Sequence, residues 1–405
     1  MPKLPGDSAP SRRALFLSPE PPYPVIGGGP LRSASLLEYL AQHYSVDAIL
    51  FRQPGDPDPV AAIPPGRLDR TLVLDLALHR KDPLSRATRN VNRAIRGRPP
   101  LLDRFSGWSA PIGSFSSGVR YDVAVIEHFW CAPYRDVLRP HCRRIVIDLH
   151  NIESVWHQRL ADTEPWPQSL LHRRFAGIYR KLESRRLQLF DAVLAASDAD
   201  AAILRTLGPG SRVSVYPNAI PEVPPPARAE TDSIVFTGNL EYQPNLSAIR
   251  YFQSEIWPVL RQGFPNLTWR ILGKNPEAVA ALVRADPRIQ LTGPIPDAIA
   301  ALAQSRVAVV PLLAGSGTRI KILEAWAAAT PVVSSTIGAE GLAATPGEHL
   351  LIADNPRDFA EAVSTLLTSR DQCERIGQAG RRLYEHLYTW PSAWRTLNGV
   401  VDKIG

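Results

Sequence analysis

Apolar residues in this chain fall in short continuous runs, separated by longer stretches with helical spacing. In the first half the runs cover 14–17, 46–51, 72–76, 122–126, 145–149, 192–195 and 213–216. Unbroken runs of this length predict parallel strands covered on both faces, because a strand with one wet face would alternate. Helical periodicity follows several of them, notably over 34–43 and 199–207. The alternation restarts beyond residue 232. Strands at 234–237, 267–272, 289–292, 307–312, 331–334 and 350–352 interleave with helices at 246–260, 276–284, 297–304, 319–328 and 357–368.

Between the two series lies PNAIPEVPPPARAETD, whose prolines 217, 221, 224, 225 and 226 suit neither helix nor central strand. The pattern therefore predicts an N-terminal Rossmann-like domain (1–216), a Pro-rich linker (217–232) and a second Rossmann-like domain (233–388). A terminal helical segment (389–405) is expected to pack back on the first domain. The fold class expected is α/β, two doubly wound parallel sheets facing across a cleft. In such sheets ligands bind beyond the carboxyl ends of the strands, so the loops there are the informative places.

Composition narrows the picture. At 405 residues the chain is long enough for two cores, and 44% apolar with 21% charged is ordinary for a globular protein. No run reaches the ~18–20 apolar residues that cross a bilayer. The apolar run at 14–17 is too short for a signal-peptide core of ~7–15 residues, and three scattered cysteines suit a reducing cytoplasm, the expected location. Cys131, Cys142 and Cys373 are scattered, which excludes a disulfide scaffold and a Cys-rich zinc site. The net charge of +7 fits nucleic acid, an anionic membrane surface or phosphorylated small molecules.

Three loops carry candidate chemistry. After the first strand come Gly27, Gly28 and Gly29, which let backbone approach an anion, though a plain turn explains them equally. The second series opens with Thr237-Gly238-Asn239, permissive for phosphate or sugar and also common as an ordinary turn. The third, Gly315-Ser316-Gly317-Thr318-Arg319-Ile320-Lys321, runs from a Gly/Ser/Thr loop straight into a helix. Backbone N–H groups, the helix dipole, Arg319 and Lys321 together predict an anion site. Both cations reach one phosphate only if Arg319 still belongs to the loop. A surface pair between Lys321 and Glu324, worth little, is the plainer alternative.

The stretch GSGTRIKILEAWAAATPVVSSTIGAEGL resembles the C-terminal signature of GT-B glycosyltransferases of the family-4 type. SIVFTGNLEYQPN, WRILGK, QLTGPIPD, VAVVPL, FDAVLAASDAD, VYPNAIP and DLHNIES extend the likeness over nearly the whole chain. The resemblance implies a retaining transfer of sugar from a nucleotide diphosphate donor to a saccharide or lipid-linked acceptor, in bacterial polysaccharide or glycolipid assembly. Glu324 matches the second glutamate of the family's E-x7-E pattern, which holds the ribose; the first position is Ser316, a departure from it. Lys321 and Arg319 would hold the diphosphate, with Ser316, Gly317, Thr318, Gly28, Gly29, Gly238 and Asn239 around the donor. Pro294 and Ile295 correspond to the loop that reads the base. His150 stands where such enzymes place a histidine facing the donor sugar, and His128 is a candidate acceptor contact.

No cofactor and no metal is expected. Asp56-Pro57-Asp58 and Asp198-Ala199-Asp200 are D-x-D triplets, but turn and helix-cap chemistry explain both. Two basic stretches, 80–104 and the helix carrying Leu171, Phe175, Ile178 and Leu182, make an anionic membrane surface a candidate partner, with packing on the sheet as the alternative. Nucleic acid is not expected, since no aromatic platform or known module accompanies the charge. Two rival readings stay open, a GT-B-fold sugar-nucleotide epimerase and a binding subunit without catalysis.

Overall fold

Thirteen strands form two wholly parallel sheets in the computed structural model, which describes residues 12–25, 27–78, 82–227, 231–314 and 319–402. The first sheet contains β1 (Arg13–Ser18), β2 (Ser45–Arg52), β3 (Arg70–Asp75), β4 (Tyr121–Glu127), β5 (Cys142–Leu149), β6 (Ala192–Ala195) and β7 (Val213–Val215). Their order is β3-β2-β1-β4-β5-β6-β7. The second contains β8 (Thr231–Thr237), β9 (Thr268–Leu272), β10 (Ile289–Thr292), β11 (Ser305–Val310), β12 (Val332–Ser334) and β13 (Leu351–Ile352), ordered β10-β9-β8-β11-β12-β13. The apolar runs are buried on both faces: Ala14, Leu15, Phe16 and Leu17 are fully inaccessible. Each strand order reverses once, between β1 and β4 and between β8 and β11. Right-handed crossovers then place helices on both faces and leave a ligand crevice at each reversal.

The chain divides into two units, Met1–Pro217 with Trp394–Gly405, and Asn218–Ala393. The segment read as a linker begins as part of the second unit. Ala219 and Ile220 are buried, and Ile220 exchanges backbone hydrogen bonds with Tyr388 and Trp390. Tyr384 Oη donates to the Pro221 carbonyl, and the Val223 N–H donates back to that hydroxyl. The prolines exclude a helix, but they do not prevent an extended strap.

At the other end Trp394 Nε1 donates to the Ser35 carbonyl at 3.1 Å, and Tyr39 Oη donates to the Asn398 side chain at 2.9 Å. These bonds hold the last residues in the first unit.

Helix boundaries differ from the pattern in two informative places. The first helix spans Gly28–His43, so Gly28 and Gly29 form its opening turn and Gly27, at φ 96°, is the residue before it. The helix expected at 246–260 is two helices, Gln243–Tyr251 and Trp257–Gly263, joined by a π-turn. In the second unit, helix Arg370–Leu383 packs so closely on helix Ile320–Ala327 that a Cβ on Gly380 would lie 2.3 Å from the Trp326 ring. That contact, with Trp326 Nε1 donating to the His349 carbonyl at 3.0 Å, fixes the helix that carries Lys321 and Glu324.

Candidate active site

In the second unit the candidate residues gather at the β8/β11 reversal. Helix Ile320–Ala327 starts one residue after Arg319, whose φ of −84° and ψ of 72° are not helical. Arg319 therefore belongs to the loop. Its buried guanidinium donates to the Ile337 carbonyl through Nε at 3.2 Å and Nη2 at 2.9 Å. Lys321 does not form the surface pair with Glu324. Its Nζ donates to Asn245 Oδ1 at 2.7 Å and lies 4.0 Å from the centre of the Phe236 ring, at the Gly238 turn. Burial, then repulsion from Arg319, lowers the ammonium to about 7. Glu324 is pushed up to about 7 by burial, against the pull of Lys321.

The turn beneath Lys321 is braced from several sides. Asn245 Nδ2 donates to the Asn239 carbonyl at 2.8 Å, and Asn239 Oδ1 accepts from Asn275 Nδ2 at 3.0 Å. A Cβ on Gly273 would lie 1.7 Å from the Gly238 carbonyl oxygen, so the turns after β8 and β9 touch backbone to backbone. Only glycine permits this approach. Pro294 and Ile295, the former exposed and the latter half-buried, follow the edge strand β10, whose last residue, Thr292, accepts from the Gly273 N–H at 3.2 Å. Ser316, Gly317 and Thr318 lie outside the described residues.

The first unit's candidates gather at the β1/β4 reversal. His128 directly follows β4 and His150 directly follows β5; their ring centres are 3.9 Å apart. His128 has φ 61° and stacks on Trp130 at 4.2 Å. Burial, then the charge of His150, lowers His128 well below the usual imidazole range. His150 goes the other way. Burial, the largest effect, favours its neutral form, but the carboxylates of Asp148 and Glu127 outweigh it and raise the imidazole to about 9. Nε2 lies 3.3 Å from Asp148 and 3.4 Å from Glu127.

Gly29 passes close by, since a Cβ there would meet Glu20 Oε2 at 3.2 Å and His150 Nδ1 at 4.0 Å. Gly28 shares that first turn and is half-buried.

Sequence reasoning passed over Arg32, Glu127, Asp148, Glu20 and Asn245. Arg32 is fully buried and binds both oxygens of Asp148, at 2.7 and 2.5 Å. It also donates to the Tyr216 carbonyl at 2.6 Å. The signal was present: Glu127 and Asp148 each interrupt an apolar strand near its carboxyl end, and a buried charge there needs a partner or a task.

Glu127, Asp148 and His150 offer ligand atoms within 4.8 Å of one another, a spacing a metal ion would accept. The surrounding chemistry opposes it. Arg32 already occupies both oxygens of Asp148, and the carboxylates hold a proton on His150 where a metal needs a lone pair. The D-x-D triplets are local structure: Asp58 Oδ1 accepts from the Val60 N–H, and Ser197 caps the helix that starts at Asp198 by accepting from the Asp200 N–H.

Two α/β units whose strand-order reversals are lined by glycine turns, fixed cations and carboxylates have the GT-B architecture. Residues 231–369 match the family Glycosyl transferases group 1. Over 97% of its length the chain superposes on 99% of sucrose-phosphate synthase from Thermosynechococcus elongatus, with a TM-score of 0.71 and 17% identity. It also superposes over 96% of its length on 99% of HepE from Anabaena, solved with UDP and glucose, with a TM-score of 0.65 and 14% identity. In sequence it is 25% identical over 139 residues to an uncharacterized 44.6 kDa protein of the cps region of Klebsiella pneumoniae. That match spans 32% of this chain and 36% of the relative. Among the described residues, no helix is long and apolar enough to cross a membrane.

Proposed function

We propose that this protein is a glycosyltransferase that moves a sugar from a nucleotide diphosphate donor to a hydroxyl acceptor with retention of configuration. The observation that carries the reading is the position of Lys321, a half-buried ammonium at the Gly238 turn, with Glu324 three residues further along the same helix. An ammonium held at about 7 by burial gains most when an anion arrives, because the anion restores the charge that burial disfavours. The match to Glycosyl transferases group 1 and the UDP bound to HepE support a nucleotide-sugar donor.

In this mechanism the bond between the sugar's anomeric carbon and the β-phosphate oxygen breaks as the acceptor oxygen attacks from the same face. The acceptor's proton passes to the departing phosphate, and the products are the glycoside and the nucleoside diphosphate. Charge builds on the leaving group, where Lys321, Arg319 and the N–H groups at the helix start stabilise it. Glu324 accepts from the ribose hydroxyls. In the first unit the His150 imidazolium is a donor suited to a sugar hydroxyl. Fixed cations take the part a divalent metal plays elsewhere, so the transfer is metal-independent. Bacterial polysaccharide or glycolipid assembly, in the cytoplasm and at the inner face of the membrane, is the setting that fits a basic chain of this class.

Incubation with a panel of nucleotide sugars and a hydroxyl acceptor, followed by NMR of the anomeric proton, tests the reading. It predicts a product with the donor's configuration, formed in EDTA and lost in Lys321→Ala. An inverted product sinks the retaining mechanism, and an epimerised donor without transfer replaces it with epimerase chemistry.

A further inference from the structure

The glycines that open the first unit's first helix would admit an anion by themselves, but a carboxylate already stands over them. Glu20 lies two residues beyond β1. Its backbone is clamped by the buried Ser18, whose Oγ donates to the Glu20 carbonyl at 2.6 Å and accepts from the Glu20 N–H at 3.3 Å. The side chain reaches Gly29, with Oε2 3.2 Å from the position a Cβ there would take. Pro30 has no N–H, and the Leu31 N–H donates to the Gly27 carbonyl at 3.2 Å. The helix start therefore offers an anion only the N–H groups of Gly28 and Gly29, and a phosphate placed there would be repelled by Glu20.

The neighbouring charges leave Glu20 as the carboxylate without a counterpart. Arg32 binds both oxygens of Asp148, and Glu127 lies 3.4 Å from His150 Nε2. Among the described residues the Glu20 carboxylate has no hydrogen bond or ion pair. Burial raises its carboxyl, against the pull of the His150 charge. With Nε2 turned to Asp148 and Glu127, the other ring nitrogen of His150, Nδ1, lies 4.0 Å from the same Gly29 position. An acceptor and an imidazolium donor thus flank one place, kept open because glycine has no side chain. A phosphate brings only acceptors and is opposed by Glu20. An ammonium brings only donors and is opposed by His150. A hydroxyl gives one hydrogen bond and takes another, so it satisfies both groups at once.

We infer that Glu20 and His150 grip one saccharide hydroxyl over Gly29, Glu20 accepting from it and His150 donating to it, so that Glu20 is a specificity-determining residue. The inference rests on the glycosyltransferase reading, and it assigns the Gly28–Gly29 turn to a sugar hydroxyl in place of an anion. A sugar lacking that hydroxyl leaves two charged groups unpaired, a far larger penalty than a lost methylene. The hydroxyl can come from the donor's sugar or from a saccharide acceptor, and the test separates the two.

UDP, GDP, ADP, CDP and dTDP are first ranked by calorimetry. The tightest is then compared with its glucose and galactose derivatives, and methyl glucoside is titrated into protein saturated with it. Glu20→Ala should leave diphosphate affinity within twofold of wild type, which also shows that the variant is folded. It should cost tenfold or more in affinity for the sugar-bearing nucleotides if the hydroxyl is the donor's, or for methyl glucoside if it is the acceptor's. Glu20→Gln keeps an acceptor oxygen without the charge and should recover most of that loss. Gly29→Ala, whose Cβ enters the gripped position, should behave as Glu20→Ala does. A larger change in diphosphate affinity overturns the inference: tighter binding by Glu20→Ala puts a phosphate at Gly29, and weaker binding makes Glu20 structural. If neither saccharide probe loses affinity, the inference alone fails and the donor reading stands. If no nucleotide binds the wild type, the donor reading fails and takes this inference with it.

Discussion

Lys321 Nζ donates to Asn245 Oδ1 at 2.7 Å, which joins the helix after β11 to the helix after β8 across the sheet's reversal point. The neutral amide positions the ammonium without cancelling its charge. Asn245→Asp should therefore raise the Lys321 pKa by adding a carboxylate, and should weaken UDP binding at least tenfold because the cation is then already paired. Asn245→Ala should cost only severalfold. Calorimetry on the two variants checks the order, and an Asp variant that binds as well as wild type would refute it.

Nucleotide binding should take up a proton above pH 7. Free Lys321 loses its proton near pH 7, and a bound diphosphate restores it, so affinity falls as pH rises from 7 to 9. Glu324, raised to about 7, must be ionised to accept from ribose, so affinity also falls below that pH. Titrations in buffers of different ionisation enthalpy read the uptake directly. A flat profile from pH 6 to 9 would show that neither group touches the ligand.

His150 links the first unit's stability to pH. Its folded pKa of about 9 exceeds the usual 6.5, so its contribution is complete below pH 6.5 and disappears as pH rises to 9. The shift corresponds to about 3 kcal/mol at ~1.4 kcal/mol per unit. Urea unfolding at pH 6 and 9.5 should show this loss in wild type and most of it absent in His150→Asn. Glu127→Gln removes one of the two carboxylates and should move the alkaline limb of the activity profile to lower pH.

Arg32 and Asp148 form a buried pair, and breaking one side leaves the other charge uncompensated. Arg32→Met should destabilise the protein by roughly 3–5 kcal/mol. The double variant Arg32→Met/Asp148→Asn should recover part of that loss in denaturant unfolding. Additive losses would show that the two side chains do not act as a pair.

Much of this arrangement was legible before the fold was known. Unbroken apolar runs such as 14–17 and 145–149 mark buried parallel strands, and the Gly/Ser/Thr loop before Lys321 marks a helix start. What local pattern cannot supply is distance across the sheet. Nothing near Lys321 in sequence points to Asn245, 76 positions away, or to Phe236 under its ammonium. The same holds for Arg32, whose partner Asp148 is 116 positions along the chain. Prolines likewise mark where helix stops, but not that Ile220 is tied to Tyr388 and Trp390.

The most direct test of the central claim is thermal unfolding of the protein against UDP, GDP, ADP, CDP and dTDP. At ~100 times its dissociation constant the right ligand stabilises by ~2.7 kcal/mol. The account predicts a clear upward shift with at least one diphosphate, lost in both Lys321→Ala and Glu324→Ala. No shift with any nucleotide, or a shift that survives both substitutions, would contradict it.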